Sequence, residues 1–185
     1  MKRLISLLTV ISLLLSLAGA ASADPVTFTT EYFSLQLPDG WVIDTEDLES
    51  ESDDTAKCLG FFGESSDKGL VAGVYLVYYE DLKNVALWSS DEDELQAYIE
   101  AVLDDYKDEH AESLGVVMAG KIPLILIKCT DKDGEFLYAD TMTNGYAIEF
   151  QVIHIDDNSD IQYPITDDQI ELFKSILSTF QPVTT

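Results

Sequence analysis

Two long segments of this chain lack any polar alternation, and they constrain the fold more than any other feature. They cover residues 70–79 and 122–127, and neither contains a charged side chain. A strand with one face in water alternates apolar and polar residues, so a strand that is apolar on both faces needs protein cover on both sides. These segments therefore predict a sheet that lies between two other layers.

Two segments with helical periodicity can provide that cover. A first helix is predicted from a capping box of Ser89 and Glu92 to about Ser113. A second helix is predicted from Thr166, which forms a capping box with Gln169. The expected core stripes are Leu95, Ile99, Val102, Leu103 and Tyr106 in the first helix, and Ile170, Phe173, Leu177 and Phe180 in the second.

Turn residues and alternation predict the other strands. Residues 33–37 and 41–43 flank Pro38-Asp39-Gly40 and are predicted to form a hairpin. Residues 58–62 are predicted to pair with the 70–79 strand. A three-strand meander is predicted at 122–130, 135–142 and 146–155, with Asn144-Gly145 in its last turn. This order of elements predicts an α+β fold, with an antiparallel sheet sandwiched between helices.

The first 23 residues have the organisation of a secretory signal peptide. Lys2 and Arg3 precede an apolar stretch at 4–17, and Ala21-Ser22-Ala23 is a small-residue cleavage site. The apolar stretch is shorter than the roughly 20 residues that a membrane-spanning helix needs. We therefore expect one domain over residues 24–185, an extracytoplasmic location (secreted or periplasmic), and no membrane insertion of the mature chain.

The segment at residues 32–41, which ends in Leu37-Pro38-Asp39-Gly40-Trp41, resembles PsbP-type proteins. The later meander and the closing helix at 171–180 extend the resemblance over nearly all of residues 24–185. This group includes the extrinsic photosystem subunit, the Ran-binding import factor and many secreted bacterial proteins of unknown role. The resemblance implies a three-layer α/β/α sandwich and a binding or accessory role. Its one sharp motif is a folding turn, so it carries over no active site.

Charge narrows the classes of partner. Residues 24–185 contain 35 Asp and Glu against eight Lys and no Arg. Phosphate and nucleic-acid sites depend on guanidinium groups, and such an excess of negative charge repels polyanions over a Debye length of about 8 Å. Nucleic acid, nucleotides and anionic membranes are therefore disfavoured, whereas a cationic protein or peptide is favoured. The alternative is that the acids only keep a secreted protein soluble or suit a salty habitat.

The leading functional hypothesis is a non-enzymatic binding or accessory domain. The sequence contains no catalytic constellation and no motif for an organic cofactor. The candidate partner face is the acidic side of the first helix and its end: Glu92, Glu94, Asp104, Asp105 and Asp108.

A calcium-responsive extracellular protein is the second hypothesis. The acidic stretch at residues 46–54 is expected to be a solvated loop that could hold calcium loosely by charge. Its candidate ligands are Glu46, Asp47, Glu49, Glu51, Asp53 and Asp54. The segment at 131–135 also has alternating acids, but its register does not match a calcium loop, and a hairpin turn accounts for its residues.

A hydrolase with a carboxylate or thiol site is the third hypothesis. Cys58 and Cys129 either form a disulfide that closes a loop of some 70 residues or stay buried as free thiols. His154 is expected to be hydrogen-bonded and half-buried on a strand face, and it is the group that could serve a thiol nucleophile. No local motif supports such a pair, and the cysteine spacing does not fit zinc.

Overall fold

A computed structural model describes residues 26–46, 48–49, 51–53, 55–66, 68–156 and 162–183. The predicted signal peptide lies outside these residues. The strands are β1 (Val26–Thr29), β2 (Phe33–Leu37), β3 (Trp41–Asp44), β4 (Ala56–Glu64), β5 (Lys68–Tyr78), β6 (Glu112–Ala119), β7 (Ile122–Thr130), β8 (Glu135–Thr143), β9 (Tyr146–Asp156) and β10 (Gln181–Pro182). The α-helices are α1 (Glu92–Asp105) and α2 (Asp167–Leu177). Short 3-10 turns lie at Glu80–Leu82, Leu87–Ser89 and Lys107–Glu109.

Seven strands form one antiparallel sheet in the order β3-β4-β5-β9-β8-β7-β6. A second, three-stranded sheet has the order β1-β2-β10. The predicted α+β class with an antiparallel sheet between helices is therefore confirmed. No helix within the described ranges is long and apolar enough to span a membrane.

Each face of the large sheet carries its own core. On one face α2 and the small sheet pack over strand residues such as Phe150, and the ring centroids of Phe33 and Phe180 lie 5.0 Å apart there. On the other face α1 packs over a second cluster that includes Phe61 and Ile127. The doubly apolar strands thus receive the cover that their sequence requires.

The predicted hairpin of β2 and β3 does not form. β2 pairs with β1 and β10 in the small sheet, whereas β3 pairs with β4 in the large one. The Pro38–Gly40 turn is present, with Gly40 at φ +80° and the Trp41 N–H donating to the Pro38 carbonyl at 3.3 Å. It leads the chain from one layer to the next, because both edges of β2 are occupied by strands from the two ends of the domain.

The first helix is shorter than predicted and begins with a different capping box. Asp91 is the N-cap and forms the box with Glu94, while Ser89 lies in a 3-10 turn. The helix ends at Asp105, and the left-handed His110, at φ 45°, directs the chain into β6. β6 pairs with β7 and lengthens the predicted meander to four strands.

The rest of the meander and the second helix follow the sequence closely. Thr166 and Gln169 form the predicted capping box of α2. Asn144 and Gly145 have positive φ values in the turn between β8 and β9. A Cβ atom on Gly145 would lie 2.8 Å from the Tyr79 carbonyl oxygen, so this position admits only glycine. The turn therefore holds the connection that follows β5 close to the β8–β9 hairpin.

Candidate functional site

The five candidate partner residues are all exposed, but they lie at the ends of α1 and not along one stripe. Glu92 and Glu94 are in the first turn, Asp104 and Asp105 in the last turn, and Asp108 in the 3-10 turn that follows. A helix of this length spans about 20 Å. The candidate partner face therefore consists of two groups of acids, one at each end of α1, about 20 Å apart.

Charge on this helix is almost uncompensated. From residue 91 to residue 112 the chain carries ten carboxylates and one lysine. That lysine, Lys107, contacts Asp104 at 3.2 Å. Acids stabilise a helix at its N-terminus and destabilise it at its C-terminus, and the last turn of α1 contains no basic residue. The acids at 104 and 105 therefore oppose helix stability.

Two carboxyl groups are buried beneath α1. Asp140 on β8 and Glu149 on β9 are direct cross-strand partners, and they are 0% and 2% exposed. Residues opposite each other in an antiparallel pair have Cβ atoms about 4.5–5.5 Å apart. Their neighbours along each strand, such as Tyr138 and Ile153, belong to the core on the α1 side. Two acids thus lie side by side where apolar residues would be expected.

Tyrosines from two different elements bind these carboxylates. The Tyr98 hydroxyl, on α1, donates to Oδ2 of Asp140 at 2.5 Å. The Tyr79 hydroxyl, just after β5, donates to Oε1 of Glu149 at 2.6 Å. The second oxygen of Asp140, Oδ1, has no hydrogen-bond partner among the described residues. The acid pair therefore connects the sheet to α1 and to the connection that precedes it.

The environment of Asp140 favours its protonated form. Burial raises the pKa of this carboxyl to about 7, the hydrogen bond from Tyr98 lowers it, and the charge of Glu149 raises it. Burial also raises the pKa of Tyr98, Tyr106 and Tyr138. A group that titrates near neutral pH can bind and release a proton, but one that is fully buried cannot reach a substrate.

A cleft of about 470 Å³ lies between residues 84–90 and the start of α1. Its walls include Asn84, Ser90, Glu94 and Tyr98. The connection that forms one wall is fixed to the β8–β9 hairpin, because the Asn144 N–H donates to the Val85 carbonyl at 2.8 Å. Tyr98, which lines this cleft, is also the residue whose hydroxyl donates to Asp140.

The candidate disulfide is not formed. Cys58 and Cys129 are free and buried on the α1 side of the sheet. β5, β9 and β8 lie between their strands, and four spacings of about 4.8 Å exceed the roughly 7 Å between Cα atoms that a disulfide tolerates. Burial raises the pKa of both thiols to about 12, so they stay protonated at neutral pH.

The thiol–histidine pair of the hydrolase hypothesis does not assemble either. His154 lies on the same strand face as Phe150 and Val152, which belong to the core on the α2 side. Both thiols lie on the opposite face of the sheet. His154 is half-buried, and its Nδ1 lies 3.0 Å from the Pro164 carbonyl oxygen, as its sequence position predicts. The two groups are therefore separated by the sheet.

The candidate calcium ligands do not converge within the described residues. Glu46 and Glu49 are exposed and Glu51 is half-buried, while Asp47 and Asp54 lie outside the described residues. Across the described ranges, no three His, Cys, Asp or Glu side chains are arranged to hold a metal ion.

Two acidic turns use their carboxylates to organise the local backbone. The Asp53 carboxylate accepts hydrogen bonds from the Thr55 and Ala56 N–H groups at 2.7 and 2.8 Å. Oδ1 of Asp131 accepts from the Asp133 and Gly134 N–H groups at 2.8 and 3.0 Å. The hairpin-turn interpretation of residues 131–135 therefore holds.

A sequence signal for the buried acid pair exists, although composition obscures it. With a two-residue turn at Asn144-Gly145, the antiparallel register places Asp140 opposite Glu149. Both residues also lie inside strands whose side chains are mostly apolar and buried. Among 35 acids, however, no pattern of charge alone marks two of them as buried.

Comparison with known proteins finds a likeness of fold. No protein-family model matches the chain, and no curated protein matches its sequence. The structure is similar to the solution structure of cyanobacterial PsbP (CyanoP) from Synechocystis sp. PCC 6803, at 15% sequence identity and a TM-score of 0.48. The similarity covers 90% of this chain and 96% of the other. PsbP-type proteins are the group that residues 32–41 resemble.

Proposed function

We propose that this protein is an extracytoplasmic, non-enzymatic binding or accessory domain that engages a cationic protein or peptide through the acidic face of α1. The observation that carries the proposal is the uncompensated charge between residues 91 and 112. Five of the seven other lysines in residues 24–185 pair with acids outside α1: Lys57 with Glu31, Lys83 with Glu80, Lys128 with Glu135, Lys132 with Asp133, and Lys174 with Glu171.

The position of these acids supports binding more than solubility alone. Acids at 104 and 105 each cost the helix about 0.3–1 kcal/mol, because they lie beside the negative end of its dipole. Solubility would be served equally well by acids at positions without that cost. A cationic partner would neutralise these carboxylates and remove the repulsion.

The neighbouring strand suits a partner in extended conformation. The chain passes from α1 through the Lys107–Glu109 turn into β6, which is last in the strand order of the large sheet. Met118 on this strand is 52% exposed. A basic extended segment could pair with the outer edge of β6 while its cations contact the acids at the end of α1.

Two charge-matched variants test the proposal. One replaces Asp104, Asp105 and Asp108 with Asn; the control replaces Asp39 with Asn and Glu46 and Glu49 with Gln, all exposed residues outside α1. Calorimetric titration with a lysine-rich peptide at low and high salt should show on the order of tenfold weaker binding for the α1 variant, about 1.4 kcal/mol, and little change for the control. Equal losses in both variants would mean that net charge alone attracts the peptide.

The calcium-responsive alternative makes a separate prediction. If residues 46–54 bind calcium, the melting temperature of the protein should rise in millimolar calcium and fall when a chelator is added. The control variant with Glu46 and Glu49 replaced should lose that response. A melting temperature that is the same in calcium and in chelator would contradict this alternative.

A further inference from the structure

We propose that the Asp140–Glu149 pair is a proton-binding site that controls the docking of α1 on the sheet. With one proton on the pair, the helix is seated over it. Loss of that proton leaves two charges in a dry site and releases the helix. This coupling stands independently of the proposed partner.

The geometry of the pair requires a proton. The two carboxyl groups are cross-strand neighbours and both are buried. Oδ1 of Asp140 is fully enclosed and has no hydrogen-bond partner within the described ranges. Ionisation of either carboxyl group in such a position is opposed by burial and by the charge of the other, which favours one bound proton on the pair. A proton on Oδ1 of Asp140 removes the charge from this enclosed oxygen and turns it from an acceptor into a donor.

The titratable groups that face the pair come from every element around it. They are Tyr98 and Tyr106 from α1 and its end, Tyr79 after β5, Tyr138 on β8, and Tyr75, which pairs with Glu149 across β5 and β9. Burial raises the pKa of Tyr98, Tyr106 and Tyr138 above the ordinary tyrosine value. These three phenols therefore stay neutral around neutral pH, and titration in that range belongs to the carboxyl pair.

Helix α1 is the element that responds because it contacts the buried pair directly. Only Ile99 and Val102 of its fourteen residues are buried. Leu95, Leu103 and the Tyr98 ring add half-buried apolar contacts, and the Tyr98–Asp140 hydrogen bond is the polar contact of the helix with the buried pair. The cleft beside Tyr98 gives water a short path to the pair when the helix lifts. Burial raises the pKa of Asp140 to about 7, which puts the transition near neutral pH.

Hydrogen exchange on the full protein tests this coupling. Amide exchange in α1 and α2 is compared from pH 5.5 to 8.5 after correction for the intrinsic exchange rate. We expect protection in α1 to fall by about tenfold from pH 6 to pH 8 and to level off above it, since the bound proton stabilises the seated helix only below the pKa of Asp140. Protection in α2 should not change.

Two variants identify the groups responsible. Asp140→Asn imitates the protonated carboxyl and should make protection in α1 independent of pH. Asp44→Asn changes another buried carboxyl, on β3, and should keep the wild-type pH dependence. If Asp140→Asn does not fold, Glu149→Gln and a ¹³C NMR titration of the Asp140 carboxyl in the wild-type protein replace it.

Three results would overturn the proposal. One is a pH dependence of α1 exchange that is the same in Asp140→Asn, or in Glu149→Gln, as in the wild-type protein. Another is an Asp140 carboxyl that titrates below pH 5. The third is protection in α1 that millimolar calcium restores at pH 8, since the pair would then hold a cation in place of a proton.

Discussion

Helix α2 lies on one face of the large sheet over an apolar core, whereas α1 lies on the other face over a core that also contains two buried carboxyl groups and several phenols. Four of the eleven residues of α2 are buried, and Phe173 among them packs edge-on against Phe150. Two of the fourteen residues of α1 are buried, and its polar contact is the hydrogen bond from Tyr98 to Asp140. Apolar contact does not depend on pH, while contact with a titratable group does.

The two helices do not differ in how they begin. Both have a complete capping box, made by Asp91 and Glu94 in α1 and by Thr166 and Gln169 in α2. They differ at the other end, where α2 has Lys174 in its last turn and the charged residues in the last turn of α1 are all acids. The comparison indicates that the contacts of α2 do not depend on pH, whereas α1 combines a titratable contact with charges that oppose its helix dipole.

The largest expected effect comes from matched truncations in the two helices. Leu177→Ala removes a fully buried side chain and should lower the free energy of unfolding by about 2–5 kcal/mol. Leu103→Ala removes a half-buried side chain from α1 and should lower it by about 1 kcal/mol. Urea denaturation measures both. Equal losses of unfolding free energy would mean that apolar packing stabilises both helices to the same extent.

The second prediction concerns pH. The pKa of Asp140 rises from an ordinary 3.8 to about 7 in the folded state, so the folded protein binds this proton more tightly than the unfolded chain. The resulting stability is complete below pH 3.8 and is lost as pH rises through 7, by on the order of 4 kcal/mol. Denaturation of the wild-type protein and Asp140→Asn at several pH values should give curves that diverge across this window. Parallel curves would contradict the prediction.

Tyr98→Phe should have a somewhat smaller effect. Without the hydroxyl, Oδ2 of Asp140 loses its donor, which should cost about 1–3 kcal/mol when the carboxyl is ionised. Since that hydrogen bond lowers the pKa of Asp140, its loss should move the pKa upward. The loss of stability should therefore be larger at pH 8 than at pH 5. Tyr146→Phe, at a half-exposed tyrosine, is the control and should change stability by less than about 0.5 kcal/mol.

The smallest expected effect comes from exchanging the charges at the helix ends. Asp105→Lys gives α1 a cation near its C-terminus and should stabilise the protein by about 0.3–1 kcal/mol. Lys174→Glu makes the reverse change in α2 and should destabilise it by a similar amount or more, because the Glu171 contact is also lost. Thermal melts at low salt compare the two. A loss of stability in Asp105→Lys would show that the acids of α1 do not oppose its folding.

Features set by neighbouring residues could be predicted from the sequence. The capping box at Thr166 and the Asn144-Gly145 turn depend on backbone geometry within a few residues, and both are confirmed. The prediction of a β2–β3 hairpin is wrong because the sheet that a strand joins depends on distant strands, here β1 and β10. β6 was hidden because its short apolar segment follows the helix closely and can be mistaken for the tail of that helix.

In the candidate site, too, some features follow from local sequence and others depend on distant parts of the chain. Exposure of the acids on α1 follows from their places around an amphipathic helix. The buried pair does not follow from composition, because burial of Asp140 is decided by the β8–β9 register together with the position of α1. The separation of Cys58 from Cys129 depends on strand order, which local sequence does not encode.

The net charge of the molecule also affects how the exposed outer edge of β6 behaves towards other copies of the protein. Open sheet edges invite other copies to join, and proteins commonly block them with lysine, proline or a bulge. β6 has an irregularity between Ser113 and Gly115, but from Gly115 to Ala119 its pairing with β7 is regular and its side chains are uncharged. A net charge of −25 keeps copies apart at that edge. Acid or strong salt would weaken this charge repulsion between copies. The β6 edges of different copies could then pair and extend the sheet from one molecule to the next.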